Sequence, residues 1–288
     1  MVDREVQYLK ISIVVGNHNQ RYDVLHKYAV TSILQSNYPL DKIEIVIVDN
    51  NCDKVSFNIL KKMFEKYNNI KIVKERRQGT CFMRNRGIAF TSGDIVAFID
   101  DDCEVDQNWL QRINNFYLDP VISFGGGSVF DVKLDRYLRS EANLSWPKEL
   151  HVIGGNMSFR KKILLKNQFD TNLLWDNDEF ELIFRLFLQK YKYYFDLTPI
   201  KHYRANSAYR SVTNCKEVFT LKGAIESNFG EYYYKVKKRI FARNYLANNI
   251  SIWQVLITEL KVFFNIDEFL FKKNLLKAIF QKSALEIL

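Results

Sequence analysis

Asp100, Asp101 and Asp102 stand directly behind the apolar run 95–99, and three adjacent carboxylates repel one another unless something positive joins them. A hard divalent cation bridging to phosphate oxygens is one relief; an exposed acidic turn is the other. The run I-V-A-F-I has four β-branched or aromatic residues among its five, which makes it a central strand of an α/β sheet. Such sheets bind ligands beyond the carboxyl ends of their strands, which favours the cation. Two further strand ends carry groups suited to a nucleotide. Asn17, His18 and Asn19 follow the apolar run 11–15, and Asp49 and Asn50 follow 43–48. A carboxylate there accepts hydrogen bonds from ribose hydroxyls or a base imino group, although Asp-Asn-Asn serves equally as a turn or helix cap.

The elements that must position these residues follow a strand–helix rhythm. Apolar strands are expected at 11–15, 43–48, 70–73 and 95–99, with helices at about 22–35, 55–67 and 81–90 between them. Alternation of this length implies βαβ units. After Asp102 the rhythm loosens: 108–117 reads as helical, and Gly125-Gly126-Gly127 opens an irregular region reaching about Asn156. From 216 onward the pattern is helical and basic, so the expected organisation is a domain over 1–215 and a C-terminal region over 216–288. The first strand runs into V-V-G-N-H-N-Q, without the glycine fingerprint of a dinucleotide site, and a P-loop is absent.

The net charge of +9 is unevenly spread. No acid occurs from 232 to 258, where Lys235, Lys237, Lys238, Arg239 and Arg243 lie among tyrosines. Such a patch suits an anionic membrane surface or is a solvated helix face. No zinc-finger, RNP-type or Gly-x-x-Gly signature supports nucleic acid. The uncharged stretch 244–258 is shorter than the roughly 20 apolar residues of a membrane span. The charged opening is unlike a signal peptide, so a cytoplasmic protein, peripheral at the inner face of a membrane, is expected. Cys52, Cys81, Cys103 and Cys215 show no paired spacing that would suggest zinc or disulfides.

In chain order the sequence shows V14-V-G-N-H-N, I45-V-I-V-D-N-N, Q78-G-T-C-F-M-R-N-R-G, G93-D-I-V-A-F-I-D-D-D, G154-G-N-M-S-F-R and D178-E-F-E-L-I-F-R. Over about residues 10–205 this series resembles the family 2 inverting glycosyltransferases of the GT-A fold. The resemblance implies a nucleotide-diphospho-sugar transferase fold, α/β, with a mainly parallel central sheet flanked by helices and a C-terminal helical extension. It implies that Asp49 reads a uracil-type base and Asp100 the ribose, with Asp101 beside it on the nucleotide side. Asp102 and the late His202 would hold Mn²⁺ or Mg²⁺ on the diphosphate. Asn17, His18 and Asn19 stand where relatives show Thr-Tyr-Asn. Gln78 and Arg84 match the donor loop, and Arg84 is the better candidate for a phosphate or base edge. Gly154, Gly155 and Asn156 match the sugar and acceptor pocket. Glu179 stands at the position of the catalytic base with Asp178 before it, the two acids being exchanged relative to the family pattern. Arg185 is expected to pair with an acid. The implied partners are a nucleotide-sugar donor, UDP-linked first, and a glycan or lipid-linked acceptor.

Two other classes compete. A sugar-phosphate nucleotidyltransferase would carry a glycine-rich basic loop after the first strand, where G16-N-H-N-Q-R stands instead. A non-catalytic sugar-nucleotide-binding subunit would have lost some of Asp100, Asp102, Glu179 and His202, all present here.

Overall fold

The computed structural model describes residues 7–18, 20–50, 53–138, 153–171 and 178–203. It opens with β1 (Ile11–Asn17), then α1 (Tyr22–Leu25), a π-helical turn (His26–Val30) and α2 (Thr31–Leu34). Next come β2 (Ile43–Asn50), α3 (Lys54–Phe64), β3 (Ile70–Glu75), α4 (Thr80–Phe90) and β4 (Ile95–Ile99), in the expected alternation. These strands pair in parallel in the order β3-β2-β1-β4. Every residue of β2 and β4 is buried, and strands covered on both faces read as apolar runs rather than as alternation. The Asp53 carboxylate accepts the Ser56 N–H at 2.7 Å and so starts α3.

The second half contains β5 (Cys103–Glu104), α5 (Trp109–Tyr117), β6 (Ile122–Asp131), β7 (Arg136–Leu138), β8 (Met157–Arg160), α6 (Lys161–Lys166), α7 (Asp178–Leu188) and β9 (Lys192–His202). The sheet runs β3-β2-β1-β4-β8-β6-β9-β5, with β7 also on β6. Here pairing is mixed: β8 is antiparallel to β4 and β6, β6 is parallel to β9, and β5 is antiparallel to β9. The parallel character expected for the sheet therefore dominates only its first four strands. Antiparallel neighbours need no crossover helix, which fits the loss of regular helix spacing after Asp102.

Gly125-Gly126-Gly127 lies within β6, not in an irregular segment. A Cβ on Gly125 would collide with the Tyr194 ring, and one on Gly127 would come within 2.7 Å of the Asp196 carbonyl oxygen. The glycines thus let β9 approach β6 closely. On the sheet, α5 buries Trp109, Leu110, Ile113 and Tyr117 in the same core as Ile11, Ile13, Ile45 and Ile47.

Asn19, Cys52, the expected boundary near 215 and the basic C-terminal region lie outside the described residues. Cys81 and Cys103 are buried free thiols. Among the described residues no helix is long and apolar enough to cross a membrane.

Candidate active site

The polar groups gather at the carboxyl ends of the parallel strands. Asn17 and Asp49 are register partners at the ends of β1 and β2, both fully buried. Asn17 Nδ2 donates to Asp49 Oδ1 at 2.9 Å, while Asp49 Oδ2 has no hydrogen-bond partner among the described residues. A buried carboxylate oxygen left this way costs about 1–3 kcal/mol, a cost a ligand's N–H would remove. His18 Nδ1 lies 3.2 Å from the Asn50 carbonyl oxygen. The Asn50 amide donates to the Arg77 carbonyl at 2.7 Å and accepts the Gly79 N–H at 3.1 Å, which fixes the loop ahead of α4. Gly79 adopts φ 138°, open only to glycine, and Gln78 beside it is exposed.

At the end of β4 the acidic turn meets His202. Their proximity comes from β9, which pairs His202 with Cys103 of β5 on one side and with Asp131 of β6 on the other. His202 Nε2 lies 3.2 Å from Asp102 Oδ1, and Nδ1 lies 3.7 Å from Asp131 Oδ2. Arg21 reaches Asp102 Oδ2 at 2.8 Å and Asp101 Oδ1 at 3.3 Å. Burial pushes Asp101 up to about 8, with Asp102 adding to the effect and Arg21 opposing it. Burial would also raise Asp102, but hydrogen bonds from His202 and Arg21 outweigh it and hold that carboxyl at about 2. Burial disfavours the charged imidazole of His202, yet its hydrogen bond to Asp102 prevails and raises it. Ligand atoms of Asp100, Cys103 and His202 lie within 4.8 Å of one another. Burial lifts the Cys103 thiol well above its usual range, so it stays neutral and suits a hard cation poorly.

A second acid group faces the turn. Asp178 and Glu179 open α7, where a helix N-terminus favours negative charge, and both are buried. Arg84 of α4 is 5 % exposed and makes a short ion pair with Asp178, with Glu179 Oε2 at 3.8 Å from the same nitrogen. Burial raises Asp178, with Arg84 opposing and Glu179 adding to it. Gly154 leaves room for the Arg84 guanidinium, and Gly155 leaves room for the Asp100 carboxylate, 2.8 Å from where a Cβ would stand.

The expected residues therefore come together, several of them already paired with other side chains. Arg84 is turned to the acids of α7, because a buried guanidinium needs charged partners. The space at Gly154 and Gly155 is filled by protein side chains. The Asn156 side chain is committed to Trp109 Nε1 at 3.1 Å and the Ser128 carbonyl at 2.9 Å. Arg185 pairs with Glu181 at 2.7 Å, as expected. Sequence reasoning missed Arg21 and Asp131. Arg21 follows the Asn-His-Asn stretch at the end of β1, a cation placed opposite an acidic turn, which was the available signal; Asp131 had none.

A model of glycosyl transferase family 2 matches residues 12–173, more than half of the chain. The glycosyltransferase AglE of Haloferax volcanii is 30 % identical over 103 residues, 35 % of this chain and 33 % of its own length. The minor teichoic acid biosynthesis protein GgaB of Bacillus subtilis is 29 % identical over 189 residues, 61 % of this chain. The chain thus spans about a third of the first of these relatives and, at 21 %, about a fifth of the second. The mannosyltransferase PcManGT of Pyrobaculum calidifontis, solved with GDP-Man and Mn²⁺, superposes with a TM-score of 0.58 at 18 % identity, covering 70 % of this chain and 59 % of that one. S. aureus TarS 1-349 with UDP-GlcNAc superposes with a TM-score of 0.59 at 16 % identity, covering 74 % and 65 %. These solved neighbours share the mixed, curled α/β sheet of the GT-A fold, and the family match over more than half of the chain shows that it belongs to glycosyl transferase family 2.

Proposed function

We propose that the protein is an inverting, metal-dependent glycosyltransferase that moves a sugar from a nucleotide-diphosphate sugar, UDP-linked in the first instance, to an acceptor hydroxyl of a glycan or lipid-linked acceptor. One observation carries this reading. The buried Arg84 guanidinium binds the acids of α7 and packs against Gly154, while the Asp100 carboxylate packs against the adjacent Gly155, so the acidic turn and the candidate base share one site. Solved neighbours titled with GDP-Man and Mn²⁺ and with UDP-GlcNAc support a nucleotide-sugar donor and a divalent cation.

Asp49 Oδ2 accepts the imino N–H of a uracil-type base, and Asp100 accepts the ribose hydroxyls. Asp102 Oδ1 and His202 Nε2 are a carboxylate oxygen and an imidazole nitrogen 3.2 Å apart, a donor pair that fits Mn²⁺ or Mg²⁺. Such an ion, when bound, stabilises negative charge on the leaving diphosphate. Glu179 takes the proton from the acceptor hydroxyl as its oxygen attacks the anomeric carbon on the face opposite the diphosphate. That geometry inverts the anomeric centre. Asp178, tied to Arg84, holds the guanidinium that keeps two neighbouring acids compatible with burial.

The test is UDP binding by isothermal calorimetry with Mn²⁺ or with chelator. Asp102→Ala abolishes the manganese-dependent part of binding with the fold intact, and His202→Ala weakens it less. Unchanged manganese dependence in Asp102→Ala would overturn the cation assignment.

A further inference from the structure

Arg21 belongs to none of the six motifs quoted for the family resemblance, yet its guanidinium meets two of the three aspartates of the acidic turn. NH1 lies 3.3 Å from Asp101 Oδ1, and NH2 lies 2.8 Å from Asp102 Oδ2. The third nitrogen, Nε, is buried without a hydrogen-bond partner among the described residues, so the side chain is spent on the two carboxylates. Its backbone is held as well: the Arg21 carbonyl accepts the Leu25 N–H at 3.0 Å at the entry to α1. The π-helical turn His26–Val30 follows, with Ala29 and Val30 in the core. Such turns recur at functional sites because they re-aim the residues around them.

The two oxygens of Asp102 are divided. Oδ2 belongs to Arg21, and Oδ1 faces His202 Nε2 at 3.2 Å. Two donors at right angles on a small six-coordinate cation, each about 2.1 Å from it, lie about 3 Å apart. The Oδ1–Nε2 pair already has that spacing. Without Arg21 the carboxylate could rotate about its own axis, and its oxygens would no longer be assigned.

We propose that Arg21 is a positioning residue for the divalent cation: it holds Asp102 through Oδ2 and so presents Oδ1 together with His202 Nε2 as two ligands of one ion. The proposal rests on Asp102 and His202 being the cation ligands. Outer-shell partners of this kind typically change metal affinity by about 10- to 100-fold when removed.

The experiment is a Mn²⁺ titration of the full chain, followed by the electron paramagnetic resonance signal of free Mn²⁺, for wild type, Arg21→Met, Arg21→Gln, Arg21→Lys and Asp102→Asn. Arg21→Met should weaken Mn²⁺ binding about 10- to 100-fold. Arg21→Lys should recover part of the loss, and the thermal midpoint and the UDP affinity measured in chelator should stay at wild-type values. A general loosening of the structure would move all of these together and would overturn the positioning role. Equal or tighter Mn²⁺ binding in Arg21→Met, with Asp102→Asn deficient, overturns the proposal alone and makes Arg21 a competing charge. If Asp102→Asn itself binds Mn²⁺ as wild type does, the ligand assignment fails and takes this proposal with it. Should Arg21→Met not fold, Arg21→Gln and Arg21→Lys give the same comparison, and wild-type affinity in both overturns the idea.

Discussion

Strand β2 carries a buried carboxylate at each end, and the two are treated differently. Glu44, at its start, is satisfied on every side: the Ser12 hydroxyl donates a short bond to it, the Ser92 N–H and hydroxyl donate at 2.6 and 2.8 Å, and Lys71 pairs at 2.5 Å. Asp49, at its end, has the Asn17 amide on one oxygen and no partner among the described residues on the other. Buried polar groups are nearly always paired, so an exception calls for a reason. At the amino edge a carboxylate ties the Ser92-Gly93 turn to the sheet, and Ser12 Oγ completes the tie by accepting the Gly93 N–H at 2.8 Å. At the carboxyl edge the same kind of group is held in place with one acceptor unused. One edge of the sheet is closed on itself, and the other keeps an acceptor in reserve for the proposed nucleotide.

Substitutions at the two edges should therefore separate cleanly. The largest effect is expected at the working edge, where Glu179→Gln keeps size and hydrogen-bonding reach but cannot accept the proton. Sugar transfer should fall by roughly 10²- to 10⁴-fold with donor affinity within a few-fold, measured as kcat and as donor Kd. Asp178→Asn is the control: if it alone abolishes transfer, the base is the neighbouring acid.

Next comes Asp49→Asn, which keeps one oxygen for Asn17 and turns the unused acceptor into a donor. UDP affinity should drop by about 10- to 100-fold, the equivalent of losing about 1–3 kcal/mol of hydrogen bonding, while the urea midpoint holds or rises. Wild-type UDP affinity in this variant would erase the contrast between the two ends of β2.

Glu44→Gln should do the reverse, lowering unfolding stability by about 1–3 kcal/mol in urea while UDP affinity is unchanged.

The smallest effect is its pH signature. Burial alone would raise the Glu44 carboxyl, but Lys71, Ser12 and Ser92 bring it from 4.5 down to about 2. The folded state therefore binds this proton less readily than the unfolded chain. Its contribution is complete above about pH 4.5 and is lost as pH falls toward 2. Glu44→Gln should flatten that segment of the stability curve, so equal slopes in wild type and variant between pH 4.5 and 3 would sink the assignment.

The first four strands were legible because a strand buried on both faces is a run of apolar letters, and β4 with its trailing aspartates is the clearest case. The strand-end residues Asn17 and Asp49 were legible for the same reason, since the ends of such runs are sharp. β6 was hidden by its own glycines, which have no side chain to declare a strand and are needed because Tyr194 and Asp196 crowd them. The partners of Arg84 were not legible, because a guanidinium's surroundings depend on what it is buried against, and its acids begin 94 positions later. Asp131 gains meaning only through the pairing of β9, which no local pattern announces, and Arg21 through the pairing of β1 with β4, which brings it opposite the acidic turn.

That pairing also orders the making of the protein. Tyr203 and Glu104, which flank the meeting of β9 with β5, are 99 positions apart in the chain. A ribosome delivers the three aspartates long before the histidine, and contacts between distant segments are slow to form. A growing chain thus has the ends of β1, β2 and β4 early, but His202 meets the acidic turn only when β9 has joined both neighbours. On the proposed assignment, His202 makes cation binding wait for that pairing, so a chain cut short before β9 should bind no Mn²⁺.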